Sequence, residues 1–176
     1  VVITGSPREK GNSFAATRAF IDAAEGKGHS VTRFDAAFLN VDGCRACDTC
    51  YKTGKACSFD DDFNVIAEAV AGADAVVFSM PVYLFTMPGK IKNVFDKFYS
   101  FNSSGGRTGG KESALIATCG DIDPEMFDSI RKPYEKTAGY LDWKDVGQVL
   151  IPGVNDTGDI DRTDGCRRAA ELADKF

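Results

Sequence analysis

The chain has 176 residues, of which 43% are hydrophobic and 27% charged, and its net charge is −5 at neutral pH. This composition is typical of a globular protein and excludes an intrinsically disordered chain. The negative charge argues against nucleic acid or an anionic membrane surface as a partner. The longest apolar runs, such as Ala73–Met80, are too short to span a bilayer.

The start of the chain and its cysteines indicate the cellular setting. Val1 lies inside an apolar run without a methionine, so we expect the first strand to extend a residue or two before this numbering. No secretory signal opens the chain, and we expect a cytoplasmic protein. Four of the six cysteines fall within Cys44–Cys57. Clustered thiols in a chain without an export signal indicate metal or redox chemistry and not a disulfide scaffold.

Apolar runs of strand character alternate with stretches of helical period. The predicted strands are Val1–Thr4, Ser30–Phe34, Ala73–Ser79, Ser113–Cys119 and Lys144–Ile151. The predicted helices are Ser13–Gly28, Phe63–Ala71, Pro88–Phe101, Pro124–Tyr140 and Arg162–Phe176. This alternation predicts one domain, residues 1–176, with a parallel sheet and helices on both faces. Ligands of such sheets bind beyond the carboxyl ends of the strands. The loops at those ends are Gly5–Ser13, Ser79–Pro88 and Thr118–Asp123.

The first loop, GSPREKGNS at residues 5–13, is the candidate phosphate site. Gly5 and Gly11 permit a close approach of the backbone to a ligand. The helix that follows presents free N–H groups, which bind phosphate at a helix N-terminus. The candidate ligands are Ser6, Arg8, Asn12 and Ser13. From these residues alone, an ordinary capped turn stays open as the alternative.

The second loop, Met80–Lys90, is apolar and aromatic, and it gives a flat ring a surface to lie against. We expect backbone N–H groups near Val82 and Tyr83 to bond to the polar edge of such a ring. A hydrophobic loop packed under a helix is the alternative. The candidate residues here are Pro81, Val82, Tyr83, Leu84 and Phe85.

Four cysteines follow the spacing C-x2-C-x2-C-x6-C, and thiolates at such gaps converge on one centre, as an iron–sulfur cluster requires. The candidate ligands are Cys44, Cys47, Cys50 and Cys57. A tetrahedral zinc site, reversible dithiols and free cysteines are the alternatives.

The loop Ser103–Lys111 nearly matches a nucleotide P-loop, but Glu112 stands where serine or threonine is needed. The loop also precedes a strand, so we reject an NTPase and interpret it as a flap over the ligand or a plain solvated loop.

The segment GSPREKGNS resembles the GSPRxxGNS motif of the NADPH-dependent FMN reductase and iron–sulfur flavoprotein families, within the flavodoxin-like superfamily. The second loop resembles the pattern PVYxxxxPxxxKxxxDR of these families, with Lys97 where arginine is usual. The cysteine run resembles their compact motif for a [4Fe–4S] cluster. The residues that match a loop beside the pyrimidine side of the flavin are Thr118, Gly120 and Asp121.

This resemblance implies an α/β, flavodoxin-like, doubly wound five-stranded parallel sheet of order 2-1-3-4-5. It implies one FMN-binding domain with a cysteine-rich insertion at about residues 40–62. The implied function is an FMN-dependent oxidoreductase that passes electrons from NAD(P)H or a small redox carrier to an acceptor, through a [4Fe–4S] cluster where one is held. No side chain is expected to act as a nucleophile. The resemblance further implies a homodimer or homotetramer. A non-enzymatic electron carrier, as flavodoxins are, is the alternative, and a flavin- or metal-sensing binding module is a third interpretation.

Overall fold

The computed structural model describes residues 1–103 and 108–176 of the chain. Five parallel strands form one sheet in the order β2-β1-β3-β4-β5, which confirms the predicted fold class. The strands are β1 (Val2–Thr4), β2 (Arg33–Asp35), β3 (Ala75–Pro81), β4 (Glu112–Thr118) and β5 (Lys144–Ile151). The predicted bounds of β5 are confirmed in full. The strand order reverses between β1 and β3, where flavodoxin-like sheets bind their ligand.

The helices connect the strands and cover the sheet. They are α1 (Asn12–Gly26), α2 (Thr49–Thr53), α3 (Phe63–Gly72), α4 (Gly89–Lys97), α5 (Tyr99–Ser103), α6 (Asp128–Tyr140) and α7 (Gly165–Leu172). Short 3-10 turns lie at Ala36–Phe38, Pro124–Phe127, Asp159–Arg162 and Ala173–Lys175. The helix predicted over Pro88–Phe101 is divided at Phe98. The N–H of Phe98 donates to the carbonyls of both Val94 and Phe95, so the last turn of α4 tightens.

Alternate residues of the buried strands fill two separate cores, one on each face of the sheet. Phe78 and Leu115 face the core that α3, α4 and α6 cover. Val77 and Ile116 face the core that α1 and α7 cover. This alternation confirms the prediction of helices on both faces and anchors β1, β3 and β4 at the centre of the sheet.

The second strand is shorter than predicted and lies closer to the carboxyl end. Its three residues pair with β1 alone, with Ile3 opposite Phe34. Because β1 itself has only three residues, the segment before β2 makes a single bond to it, from the N–H of Val2 to the Thr32 carbonyl at 2.9 Å, and Ser30 and Val31 stay irregular. None of the helices in the described part of the chain has the length and apolar character that a membrane crossing requires.

Candidate functional site

The carboxyl ends of β1, β3 and β4 border a pocket of about 260 Å³, here called the strand-end pocket. It brings together most of the residues that the sequence singles out: Ser6, Arg8, Asn12, Ser13, Pro81, Val82, Tyr83, Leu84, Thr118 and Gly120. Phe85 and Asp121 are not among its lining residues. The loop after β5 supplies a wall that the sequence analysis missed, through Val154, Asn155 and Thr157.

The N-terminus of α1 opens into the strand-end pocket without a side-chain cap. Gly11 is the N-cap residue, with φ −81° and ψ 168°, and no side chain in the described part of the chain accepts a hydrogen bond from the first turn. The N–H groups of that turn have no acceptor within the helix, so they suit an anion. A Cβ at Gly11 would lie 3.1 Å from both the Cβ and the carbonyl oxygen of Arg8, so glycine keeps this approach open. Ser6 is buried beside it, and its hydroxyl accepts the N–H of Arg8 at 3.2 Å.

Asn12 has a different role from the one the motif suggests. Its side-chain amide donates to the carbonyls of Val154 and Asp156, at 3.2 and 2.9 Å. Its side-chain oxygen accepts the N–H groups of Gly158 and Ile160, at 3.2 and 3.3 Å. The side chain therefore fastens the loop after β5 to α1, and only the backbone N–H of Asn12 remains for a phosphate.

Replacing Asn12 with alanine is expected to lower the free energy of unfolding by about 2 kcal/mol, because buried donors and acceptors of the loop lose their partners. It should also weaken FMN binding, since the loop forms one wall of the pocket. Urea unfolding of the protein with and without FMN measures both effects. Asn12→Asp keeps the acceptor for Gly158 and Ile160 but sets a carboxylate oxygen against the carbonyls of Val154 and Asp156, so it should lose at least as much stability at neutral pH. A free energy of unfolding that is unchanged in Asn12→Ala would contradict this role.

Buried hydroxyls hold the floor of the pocket together. Ser13 and Thr118 share a hydrogen bond of 2.8 Å that joins α1 to β4. The hydroxyl of Thr17 donates to the Ser13 carbonyl at 2.7 Å and is also hydrogen-bonded to the Ser79 hydroxyl at 2.7 Å, and so joins α1 to β3. These side chains are at most 5% exposed, so the relative positions of α1, β3 and β4 are fixed beneath a bound ligand.

A tight hairpin turn at Tyr83–Thr86 forms the apolar rim of the pocket. The N–H of Tyr83 donates to the Thr86 carbonyl at 2.9 Å, and the N–H of Thr86 donates back at 3.0 Å. Leu84 and Phe85 both have positive φ, 42° and 65°, which is the geometry of a type I′ turn and is strained for residues other than glycine. Their side chains are 88% and 65% exposed. The turn thus holds an apolar surface in solvent at the pocket mouth.

Three of the candidate groups in these loops have other positions or partners in the structure. The N–H of Val82 donates to the Thr118 carbonyl and that of Tyr83 to the hairpin, so neither is free for the edge of a ring. Phe85 points to solvent at the tip of the turn and does not line the pocket. The carboxylate of Asp121 accepts the N–H of Asp123 at 2.9 Å and serves its own turn.

The cysteine loop, residues 40–62, is fastened to the body of the protein at both ends. Asn93 donates to the Val41 carbonyl at 2.8 Å. The N–H of Asp62 donates to the Asn40 carbonyl, which closes the base of the loop. Hydrogen bonds from Thr49 lower the pKa of Cys47 below its usual value, while burial raises that of Cys50. The four thiols are free and line one small pocket of about 30 Å³.

The thiols of this loop are a suitable donor set for a cluster. Among residues 1–103 and 108–176, no three or more His, Cys, Asp or Glu side chains are arranged around a single metal ion. A mononuclear zinc site needs four sulfurs at ~2.3 Å from one atom. A [4Fe–4S] cluster binds each thiolate to a different iron and needs a wider set. Ala46 and Asp48, on either side of Cys47, have positive φ of 51° and 53°.

A buried ion pair lies beneath the cysteine loop. The ammonium of Lys97, which lines the same small pocket as the four thiols, donates to the carboxylate of Asp61, and the two side chains are 2% and 5% exposed. Burial works against the charge on Asp61, but the bonds from Lys97 and from the N–H groups of Asp42 and Phe63 outweigh it. The pKa of Asp61 therefore lies below its usual value.

Replacing Lys97 with methionine is expected to lower the free energy of unfolding by ~3–5 kcal/mol, because it leaves the Asp61 carboxylate buried without its partner. Chemical denaturation of the protein without metal measures this loss. The double variant Lys97→Met/Asp61→Asn should recover part of it, since no unpaired charge remains. A double variant less stable than Lys97→Met alone would show that the pair is not the cause.

The loop that was interpreted as a flap lies away from the strand-end pocket in its described part. Lys111 is buried and donates to the Ala73 carbonyl at 2.6 Å, next to the amino end of β4. The strand-end pocket lies at the carboxyl ends of the strands, on the other side of the sheet from the amino end of β4. The flap interpretation is therefore wrong for residues 108–111. Residues 104–107 lie outside the described residues.

A parallel sheet of order 2-1-3-4-5 with a pocket at its switch point defines a flavodoxin-like protein. Comparison of structures supports this class. An azoreductase from Bacillus anthracis superposes with a TM-score of 0.75 at 20% identity, over 99% of this chain and 98% of that one. An NAD(P)H:quinone oxidoreductase from Methanothermobacter marburgensis gives 0.71 at 18% identity, over 98% and 92%.

The model of the NADPH-dependent FMN reductase family matches residues 1–124, and the chain belongs to this family. An iron–sulfur flavoprotein from Archaeoglobus fulgidus is 26% identical over 177 residues, which cover 100% of this chain and 79% of that protein. One from Methanosarcina thermophila is 24% identical over 153 residues, or 87% and 76%. The predicted resemblance and the predicted enzyme class, an NAD(P)H-dependent oxidoreductase of the FMN reductase type, are confirmed.

Proposed function

We propose that this chain holds FMN in the strand-end pocket and passes electrons from NAD(P)H or a small redox carrier to a small-molecule or small-protein acceptor. The observation that carries the proposal is the uncapped N-terminus of α1, which opens into the same pocket as the apolar hairpin turn. A phosphate site and a surface for a flat ring thus lie side by side, as FMN requires.

Different residues would bind the phosphate and the ring of FMN. The N–H groups at the start of α1 and the hydroxyl of Ser6 would bind the phosphate, and the guanidinium of Arg8 would offset its charge. The pocket is smaller than the ~300 Å³ typical of the smallest ligand sites, so it would enclose the phosphate end and leave the ring at the mouth. There Tyr83 and Leu84 would support the ring and leave its other face open to a second substrate. Bound FMN supplies the hydride and electron chemistry.

We further propose that Cys44, Cys47, Cys50 and Cys57 hold a [4Fe–4S] cluster. The four thiols line one pocket, and four cysteine thiolates are the usual ligand set of a [4Fe–4S] cluster. The curated relatives that match most of this chain are iron–sulfur flavoproteins. Such a cluster supplies single-electron transfer. A homodimer or homotetramer is also proposed, and sedimentation of the purified protein tests it.

The proposed function is tested by mixing the FMN-loaded protein with NADH or NADPH under anaerobic conditions and adding a small acceptor. We expect oxidation of the nicotinamide without a second protein. If turnover requires an added reductase, the chain is instead an electron carrier of the flavodoxin kind. If the protein neither binds FMN nor oxidises NAD(P)H, the proposal is wrong.

A further inference from the structure

The loop after β5 forms a wall of the strand-end pocket, and Asn155 is one of the residues through which it does so. Its backbone is fastened to the loop after β4. The N–H of Val154 donates to the Cys119 carbonyl at 2.9 Å, and the N–H of Gly153 donates to the Asp121 carbonyl at 2.9 Å. The backbone next to Asn155 is therefore held in place without a ligand.

Two further contacts fix the same backbone from the other side. The carboxylate of Asp159 accepts the N–H groups of Asn155 and Asp156, at 3.1 and 2.8 Å. The side-chain amide of Asn12 donates to the carbonyls of Val154 and Asp156. The backbone N–H of Asn155 thus already has an acceptor, so the side chain of this residue is the group that remains for a ligand.

Gly120, at the end of β4, leaves the space in which this side chain lies. A Cβ at Gly120 would be 3.0 Å from Oδ1 of Asn155 and 3.4 Å from its Cβ. The first distance is shorter than an ordinary van der Waals contact. The φ of Gly120 is not in the left-handed region, so the backbone conformation does not itself require glycine. The absence of a side chain at Gly120 therefore serves the position of Asn155.

The carboxamide of Asn155 has hydrogen-bonding capacity that the protein does not use. An asparagine side chain can donate two hydrogen bonds and accept two. Within the described part of the chain, its one hydrogen bond runs from Nδ2 to Oδ1 of Asp156 at 3.4 Å, which is longer than the usual ~2.7–3.2 Å. The side chain is exposed at the pocket wall. Both its donor and its acceptor are thus available to a ligand.

The charges of the pocket indicate which part of a ligand this carboxamide meets. Among the described residues that line the pocket, Arg8 is the one charged group, and it lies with the α1 N-terminus in the proposed phosphate site. The neutral carboxamide suits neutral hydroxyl groups, and FMN carries these on its ribityl chain, between phosphate and ring. We propose that Asn155 binds the ribityl hydroxyls of FMN and that Gly120 is a positioning residue for its carboxamide. This role rests on the proposed function, because it needs FMN in the pocket.

The test is a fluorescence titration in which the flavin-free protein is added to a fixed amount of FMN or of riboflavin. Asn155→Ala should raise the Kd of both flavins by about threefold to tenfold, because riboflavin has the ribityl chain but no phosphate. Asn102→Ala is the matched control, since Asn102 is an exposed asparagine of α5 that does not line the pocket. It should leave both values unchanged. Urea unfolding of the flavin-free Asn155→Ala protein should match that of the parent.

A double-mutant cycle on FMN binding tests the positioning role of Gly120. Gly120→Ala alone should raise the Kd of FMN about threefold to tenfold, because the added methyl group displaces the carboxamide of Asn155. In the Asn155→Ala protein the same change should raise the Kd by no more than about twofold. Full additivity of the two effects would show that Gly120 acts on the ligand directly, and it would overturn the positioning role.

The outcomes separate this role from the proposed function. If the parent protein binds FMN and Asn155→Ala binds it equally well, the role of Asn155 is overturned and the FMN site stands. A rise in Kd for FMN alone would place Asn155 at the phosphate and would also overturn the role. So would a loss of stability in the flavin-free Asn155→Ala protein, which would mark a structural residue. A parent protein that binds neither flavin would overturn both proposals.

Discussion

Replacing Cys47 with alanine is expected to remove iron and sulfide from the protein and to leave FMN in place. The proposed cluster needs four thiolates that converge on one centre, and loss of one ligand leaves an iron open to solvent and oxygen. Among the described residues, none lines both the strand-end pocket and the pocket of the four thiols, so flavin binding should persist. Iron and sulfide assays on anaerobically purified protein, together with the flavin spectrum, measure the effect.

The matched control is Cys166→Ala. Cys166 is a free, partly buried cysteine in α7 that packs against the core on the α1 side of the sheet. The Cys166→Ala protein should keep about four irons per chain, as the parent protein is expected to do. If the Cys47→Ala protein keeps full iron, or if it loses no more than the Cys166→Ala protein, the assignment of the cluster to the cysteine loop is wrong.

Replacing Gly11 with aspartate is expected to raise the Kd of FMN about 100-fold or more. Gly11 has extended N-cap geometry, which an aspartate also adopts, and its carboxylate would accept the N–H groups that the phosphate needs. Each hydrogen bond to a charged group contributes ~1.5–3 kcal/mol, so the loss of two reaches this size. Repulsion between the new carboxylate and the FMN phosphate should raise the Kd further. Fluorescence titration of the flavin-free protein with FMN measures the Kd.

Gly11→Ala separates crowding from charge. Its Cβ would meet Arg8 at 3.1 Å, so the loop must shift slightly, but it brings no acceptor for the N–H groups. We expect a smaller rise in Kd, of about tenfold or less, from this contact. Because the aspartate caps α1, Gly11→Asp should also unfold at a higher urea concentration than Gly11→Ala in the absence of FMN. Equal FMN affinity in the two variants would contradict a phosphate site at this helix.

The sheet could be predicted from sequence because its signals are local. Buried parallel strands are apolar runs, and β5 occurs at the predicted bounds. The predicted bounds of the short edge strand β2 were less accurate, since the length of this strand depends on how many residues of β1 can pair with it. The break at Phe98 and the short helix α2 depend on tertiary context that no periodic pattern records.

The strand-end pocket was predictable where it is built from motif residues and not where it is built from long-range contacts. Ser6 and Ser13 are brought together as the first loop predicts. Asn12 belongs to the motif, but its side chain bonds to a loop more than 140 positions away, which the motif cannot show. The same loop contributes Asn155 and Thr157, polar residues without a recognisable spacing. The strained turn at Leu84 carries no glycine, the usual signal of positive φ.

The most direct test of the account is an absorption spectrum of the anaerobically purified protein, taken with FMN, iron and sulfide assays on the same sample. The account predicts flavin bands from one FMN per chain, a broad additional absorbance, and about four irons. Flavin bands without iron would support the strand-end pocket as the FMN site and would contradict the proposed cluster. A protein that contains no flavin and binds none when FMN is added would contradict the central claim.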